Sequence, residues 1–115
     1  MAVIFYLSGS GNSLYAAQQI AEKLEECRLE TIGSYLRKPY TVEDEIVGIV
    51  SPVYCFALPP VVAQFLEKLN AKPNYCFGVV TMGGNQGRAL KQMSEALNAK
   101  GVTLNYAQTV IMPDN

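Results

Sequence analysis

The 115-residue chain contains no histidine. Ser-His and Cys-His nucleophile pairs are therefore excluded, as is imidazole metal ligation, and hydrolytic readings rank low. Aspartate is nearly as scarce, with Asp44 and Asp114 the only two. Neither follows the first apolar run, so the acidic pocket that a phosphoacceptor signalling domain needs at its first strand end cannot form. The three cysteines, Cys27, Cys55 and Cys76, make an odd count without a CxxC pair. That argues against a disulfide framework and against an iron–sulfur or zinc site, and it fits a reduced, cytoplasmic setting. Cys76 reads as a core residue inside a strand, Cys27 as one at a helix end, and nothing supports a thiol mechanism. Charge of either sign is sparse: the net charge is −1, and no like-charge run exceeds Glu43-Asp44-Glu45. Neither a nucleic-acid footprint nor an acidic docking face is written here. No apolar stretch reaches membrane-spanning length and the apolar start lacks a basic leader, so no membrane contact is expected.

What remains is a chain that is half apolar and 17% charged, a composition that fits one compact domain over residues 1–115. Ala2 to Leu7 is a continuous apolar run, as expected of a strand covered on both faces. From Asn12 to Glu26 apolar residues recur at steps of three and four, which predicts a helix with one buried stripe. A short strand is predicted near Arg28 to Ile32. The polar stretch from Gly33 to Glu45 leaves room for a brief helix at most. Glu45 to Val50 and Tyr75 to Thr81 read as buried strands, Pro60 to Leu69 and Gln86 to Ala99 as helices, and Val102 to Met112 as a partly polar fifth strand. Pro60 suits a first helical turn, and Gly101 suits a helix end. Alternating strands and helices predict an α/β fold with a doubly wound parallel sheet and a ligand at the carboxyl ends of its strands.

The turn Ser8-Gly9-Ser10-Gly11-Asn12-Ser13 joins the first strand to the first helix. Backbone N–H groups and a helix N-terminus converge there, which suits an anion. Hydrogen bonds to a charged acceptor contribute roughly 1.5–3 kcal/mol each, so three or four contribute on the order of 5–12 kcal/mol. A capped helix after a tight turn is the bland alternative. Leu14 occupies the place of the third glycine of a dinucleotide fingerprint, and the turn has no lysine as a triphosphate loop requires. A terminal monoester phosphate is the better guest.

This turn resembles the phosphate loop of the flavodoxin family, hydroxyl-x-hydroxyl-Gly-x-hydroxyl, with serine at all three hydroxyl positions. Ser51-Pro52-Val53-Tyr54-Cys55-Phe56-Ala57-Leu58-Pro59-Pro60 and Thr81-Met82-Gly83-Gly84-Asn85 resemble the family's second and third flavin loops. The resemblance covers essentially the whole chain and is nearest to the flavodoxin-like half of proteins that fuse it to a ferredoxin-like domain with two 4Fe-4S clusters.

It implies strand order 2-1-3-4-5 and non-covalently bound flavin mononucleotide (FMN). The cofactor-binding residues it implies are Ser8, Ser10, Gly11, Asn12 and Ser13 for the phosphate, and Pro52, Val53, Tyr54, Phe56, Thr81, Gly83, Gly84 and Asn85 for the ring. Tyr54 is the first choice for stacking on the ring and Phe56 the second, against the alternative that both merely plug the core rim. Gly83 and Gly84 are expected to permit a peptide reversal that tunes one-electron steps; a simple tight turn is the other reading. The implied function is a one-electron carrier working with a redox partner protein or ferredoxin-like domain. An NAD(P)H-dependent FMN or quinone reductase and a cofactor-free binding domain stay open as alternatives. The family's last helix has no counterpart before Asn115. One sheet face is therefore expected to be incompletely covered, in an excised or incomplete domain or in a homodimer that shields it.

Overall fold

In the computed structural model the described residues are 1–7, 11–54, 56–82 and 87–111, the side chain of Asn12 excepted. The chain runs β1 (Ala2–Tyr6), α1 (Gly11–Ala21), β2 (Cys27–Thr31), α2 (Ile32–Arg37), β3 (Thr41–Val42), β4 (Ile46–Pro52), α3 (Pro60–Lys68), β5 (Asn70–Ala71), β6 (Tyr75–Met82), α4 (Ala89–Ala99) and β7 (Tyr106–Ile111). The main sheet is five-stranded in the order β2-β1-β4-β6-β7, and every pairing in it is parallel. Counting main-sheet strands alone, this is the expected 2-1-3-4-5 order. The miniature parallel pair β3-β5 is an addition that the sequence pattern did not announce.

The buried runs explain the layers. Val3, Phe5, Val47, Ile49, Cys76 and Val80 face one side, where α2, α3 and α4 supply Tyr35, Phe65, Leu66, Met93 and Leu97. Ile4, Val50, Phe77 and Val79 face the other side and pack against Ala16 and Ala17 of α1. Alternation along each strand thus feeds two cores, which is why β1, β4 and β6 read as near-continuous apolar runs. Gly48 serves the second core. A Cβ there would collide with the Phe77 ring, which lies across β4 at that point.

Cover on the two faces is unequal. Among the described helices α1 alone lies on the second face, and beside it runs a groove of about 240 Å³ lined by Ile20, Leu24, Ile46, Tyr75, Phe77 and Tyr106. Tyr106 is 50% exposed and Tyr75 41%.

Three expectations need correction. The first helix ends at Ala21, not at Glu26. Its last turn tightens, with Lys23 N–H donating to the Ile20 carbonyl and Leu24 N–H to that of Ala21, and Glu26 then takes a left-handed φ of 51° to turn the chain into β2. No glycine marks that stop. Cys27 consequently opens β2 as a half-buried strand residue instead of closing a helix. The stretch after Gly33 is less polar in function than in composition, because Tyr35 of α2 is 1% exposed and wedges between Phe5 and Phe65. Its hydroxyl donates to the Tyr40 carbonyl at 2.8 Å and accepts from the Asn70 N–H at 3.0 Å. Thr31 caps α2 by accepting from the Ser34 N–H at 3.1 Å, a hydroxyl cap of the usual kind.

Cys76 is 1% exposed, and burial pushes its thiol up from 9.0 to about 12. A raised thiol contributes stability that is present below the unfolded value and lost as pH rises toward the folded one. Between pH 9 and 12 the wild-type protein is expected to lose on the order of 1 kcal/mol per pH unit that Cys76→Ala does not lose. Denaturant titrations of both proteins at stepped alkaline pH check this; parallel pH profiles would refute it.

Candidate cofactor site

The three central strands, β1, β4 and β6, end side by side. Pairing continues just beyond their ends, with Leu7 N–H donating to the Val50 carbonyl at 3.3 Å and Val53 N–H to that of Thr81 at 3.1 Å. From β1 the chain turns through α1 toward β2, whereas from β4 it turns through α3 toward β6 on the opposite side. The crevice between the ends of β1 and β4 is therefore the switch point where such sheets take ligands.

Helix α1 starts at Gly11, shortly after β1 ends at Tyr6. Its first-turn N–H groups have no intrahelical acceptor, and the helix dipole places about half a positive charge there. Ser13 lies in that turn and is 0% exposed. Its Oγ is buried with no hydrogen-bond partner among the described residues. A buried hydroxyl without a partner costs about 1–3 kcal/mol, so a Ser13 Oγ with no acceptor among the described residues marks this helix start as a place where an acceptor would be stabilising. The donor set, neutral and free of lysine, fits a phosphate monoester. The other such atom, Asp44 Oδ2, belongs to a different feature: Asp44 Oδ1 accepts from Arg28 Nη2 at 2.7 Å, within a cluster that pairs Arg28 with Glu30 and Tyr40.

On the next strand end, Pro52 and Thr81 are buried neighbours across β4 and β6, and Val53 is half-buried. Tyr54 and Ala57 then exchange backbone hydrogen bonds of 2.8 and 2.9 Å, closing a tight turn. Tyr54 is 47% exposed and Phe56 62%. Neither ring stacks on another aromatic among the described residues. Phe56 adopts a φ of 65°, a left-handed conformation that costs a non-glycine residue about 1–2 kcal/mol.

Sequence reasoning missed what holds this turn. The Phe56 carbonyl accepts from the Arg88 N–H at 2.8 Å, and the Leu58 N–H donates to Gln92 Oε1 at 3.0 Å. Gly87 has a φ of 55°, and a Cβ there would collide with the carbonyl oxygen and Cβ of Phe56 and lie 2.7 Å from its Cα. The turn after β4 therefore sits on the entry to α4. A glycine following the third loop was the available signal, but its contact is non-local. Of the residues expected to bind cofactor, Gly11 and Ser13 lie in the first turn of α1, while Pro52, Val53, Tyr54, Phe56 and Thr81 lie at or just beyond the ends of β4 and β6. Ser8, Ser10, Gly83, Gly84 and Asn85, with Cys55 and the Asn12 side chain, lie outside the described residues.

The flavodoxin domain model matches residues 3–114. The chain belongs to the flavodoxin domain family. None of the curated proteins compared with it matches. Among solved structures, a flavoprotein in complex with FMN from Lactobacillus acidophilus superposes with a TM-score of 0.74 at 13% identity, over 94% of this chain and 91% of that one. The Trp repressor binding protein from Bacillus subtilis superposes with a TM-score of 0.68 at 11% identity, over 97% and 85%. At these identities the likeness establishes the flavodoxin fold alone. No helix of this flavodoxin domain, among the described residues, is long and apolar enough to cross a membrane.

Proposed function

We propose that this flavodoxin domain binds FMN non-covalently and carries single electrons to a redox partner. The observation that carries the reading is the buried Ser13 hydroxyl in the first turn of α1, which has no partner among the described residues and follows the strand that opens the switch point of the sheet. Family membership and the likeness to a flavoprotein in complex with FMN support the choice of ligand.

In this reading Ser13 Oγ and the first-turn N–H groups of α1 donate to the phosphate oxygens, with Ser8, Ser10 and Asn12 completing the cradle. Tyr54 presents its exposed ring as the stacking surface, worth about 0.5–1.5 kcal/mol beyond buried area. Phe56 is the second candidate for that contact. Pro52, Val53 and Thr81 close the inner wall, and Thr81, being 0% exposed, keeps water out of it. Gly83, Gly84 and Asn85 would line the third side, where glycine lets a peptide reverse its orientation at little steric cost. Bound FMN supplies the electron transfer itself. With a net charge of −1, little long-range steering is available, so partner encounters are brief and depend weakly on salt.

Potentiometric titration of the FMN-loaded chain tests the carrier reading. Two resolved one-electron steps are expected. A single two-electron step together with steady NADPH oxidation in the presence of a quinone would replace it with a reductase, and a chain that stays colourless after incubation with FMN would remove the cofactor altogether.

A further inference from the structure

We infer that Gln92 is a positioning residue for the isoalloxazine ring, acting through the turn that carries Tyr54, so that α4 sets the shape of the ring site before any ligand arrives. This rests on the FMN reading above and adds to it the device that orders the site.

The turn's local support is the Tyr54–Ala57 pair of backbone hydrogen bonds, and it works against a local cost. The turn contains a non-glycine residue, Phe56, at a φ of 65° and exposes two aromatic rings, 47% and 62%, to solvent. Left to itself such a segment would relax, since strained backbone persists only where its surroundings over-determine it. The surroundings here are three contacts from one place. Gln92, one helical turn into α4, accepts from the Leu58 N–H at 3.0 Å, and Leu58 is only 4% exposed. The Arg88 N–H, at the helix entry, donates to the Phe56 carbonyl at 2.8 Å. Gly87 lets the two backbones touch, because any Cβ there would occupy the position of Phe56. The Gln92 N–H in turn donates to the Arg88 carbonyl at 2.8 Å, so the side-chain tie and the main-chain tie belong to the same helical turn and move together.

A glutamine amide is suited to this task. Its oxygen accepts the Leu58 N–H, and its chain is long enough to span from helix to turn, while a leucine of the same bulk would fill the space and leave that N–H with no acceptor. Preorganisation of this kind strengthens binding by removing the ordering cost that the ligand would otherwise meet. It acts on the ring and not on the phosphate, and that difference is measurable.

The test compares FMN and riboflavin, which share the ring and differ in the phosphate, on wild type, Gln92→Leu and Gln92→Glu. Fluorescence quenching gives both affinities, and hydrogen exchange of the cofactor-free proteins gives the Leu58 amide protection. Gln92→Leu is expected to weaken FMN and riboflavin by the same factor, about tenfold, and to abolish Leu58 protection. Gln92→Glu, which keeps an acceptor oxygen at the same reach, is expected to retain both affinities within about threefold. Unchanged affinities in Gln92→Leu beside a wild type that binds FMN would overturn the positioning role alone. A wild type that binds neither ligand would overturn this inference and the FMN reading together. Should Gln92→Leu fail to fold, the wild-type Leu58 amide still decides: rapid exchange there, against slow exchange of its β4 neighbours, contradicts the tie.

Discussion

Ser13→Ala is expected to make the cofactor-free protein more stable while making it a poorer FMN binder. The two effects share one cause. In the free protein Ser13 Oγ is buried without a partner among the described residues, so its removal relieves a desolvation cost and replaces serine by a better helix former. The expected gain is about 1–2 kcal/mol in denaturant unfolding. In the proposed complex the same hydroxyl would donate to a charged oxygen, and its loss should weaken FMN by roughly 10- to 100-fold. Riboflavin, which lacks the phosphate, should bind the variant and the wild type equally. An ordinary core serine would show neither the stability gain nor the selectivity between the two ligands.

Gly87→Ala is expected to produce the largest loss of stability among substitutions near the site. The new Cβ must occupy space held by the Phe56 backbone, at a φ of 55° that alanine adopts poorly. Because the obstacle is main chain and not a flexible side-chain tip, relief requires moving either the turn after β4 or the start of α4. Both the Arg88–Phe56 and the Gln92–Leu58 hydrogen bonds are then at risk. A cost on the order of 3 kcal/mol follows from the combined strain and displacement. FMN and riboflavin should lose affinity together, since the ring side of the site is what shifts. Thermal unfolding of the free protein together with titrations of both ligands separates this outcome from that of Ser13→Ala, and an alanine variant as stable as wild type would show that the turn and α4 are not in register.

Much of the architecture is legible in the sequence, for a physical reason. Strands buried on both faces write unbroken apolar runs, so the stretches from Ala2 to Leu7, Glu45 to Val50 and Tyr75 to Thr81 stood out, and they match β1, β4 and β6 to within two residues at each end. Helices joining parallel strands write a stripe, and Pro60 and Gly101 marked their ends well. The failures lie where a long-range contact overrides a local pattern. The end of α1 came early because its last turn tightens onto the Ile20 and Ala21 carbonyls, and no glycine announces the left-handed Glu26 that follows. Tyr35 looked like part of a polar linker because its burial depends on Phe5 and Phe65, distant in sequence.

The site divides in the same way. The turn itself was legible as a strand-to-helix handover, because it sets glycines and hydroxyls between an apolar run and a helical stripe, and α1 does start at Gly11. The orphaned Ser13 Oγ was not, since only packing reveals that this hydroxyl is buried with no partner among the described residues. The tie from Gln92 was hidden altogether. Nothing in Leu90, Met93 and Leu97, the stripe that defined the fourth helix, distinguishes Gln92 from an ordinary solvent-facing glutamine.

The central claim is that the first turn of α1 clasps a phosphate monoester. The ratio of FMN to riboflavin affinity in the wild-type protein, taken from calorimetric titrations under identical conditions, tests it most directly. Three or four charge-assisted hydrogen bonds predict that FMN binds at least about a hundredfold more tightly. Equal affinities for the two flavins would mean that the turn holds no phosphate, and would contradict the account at its root.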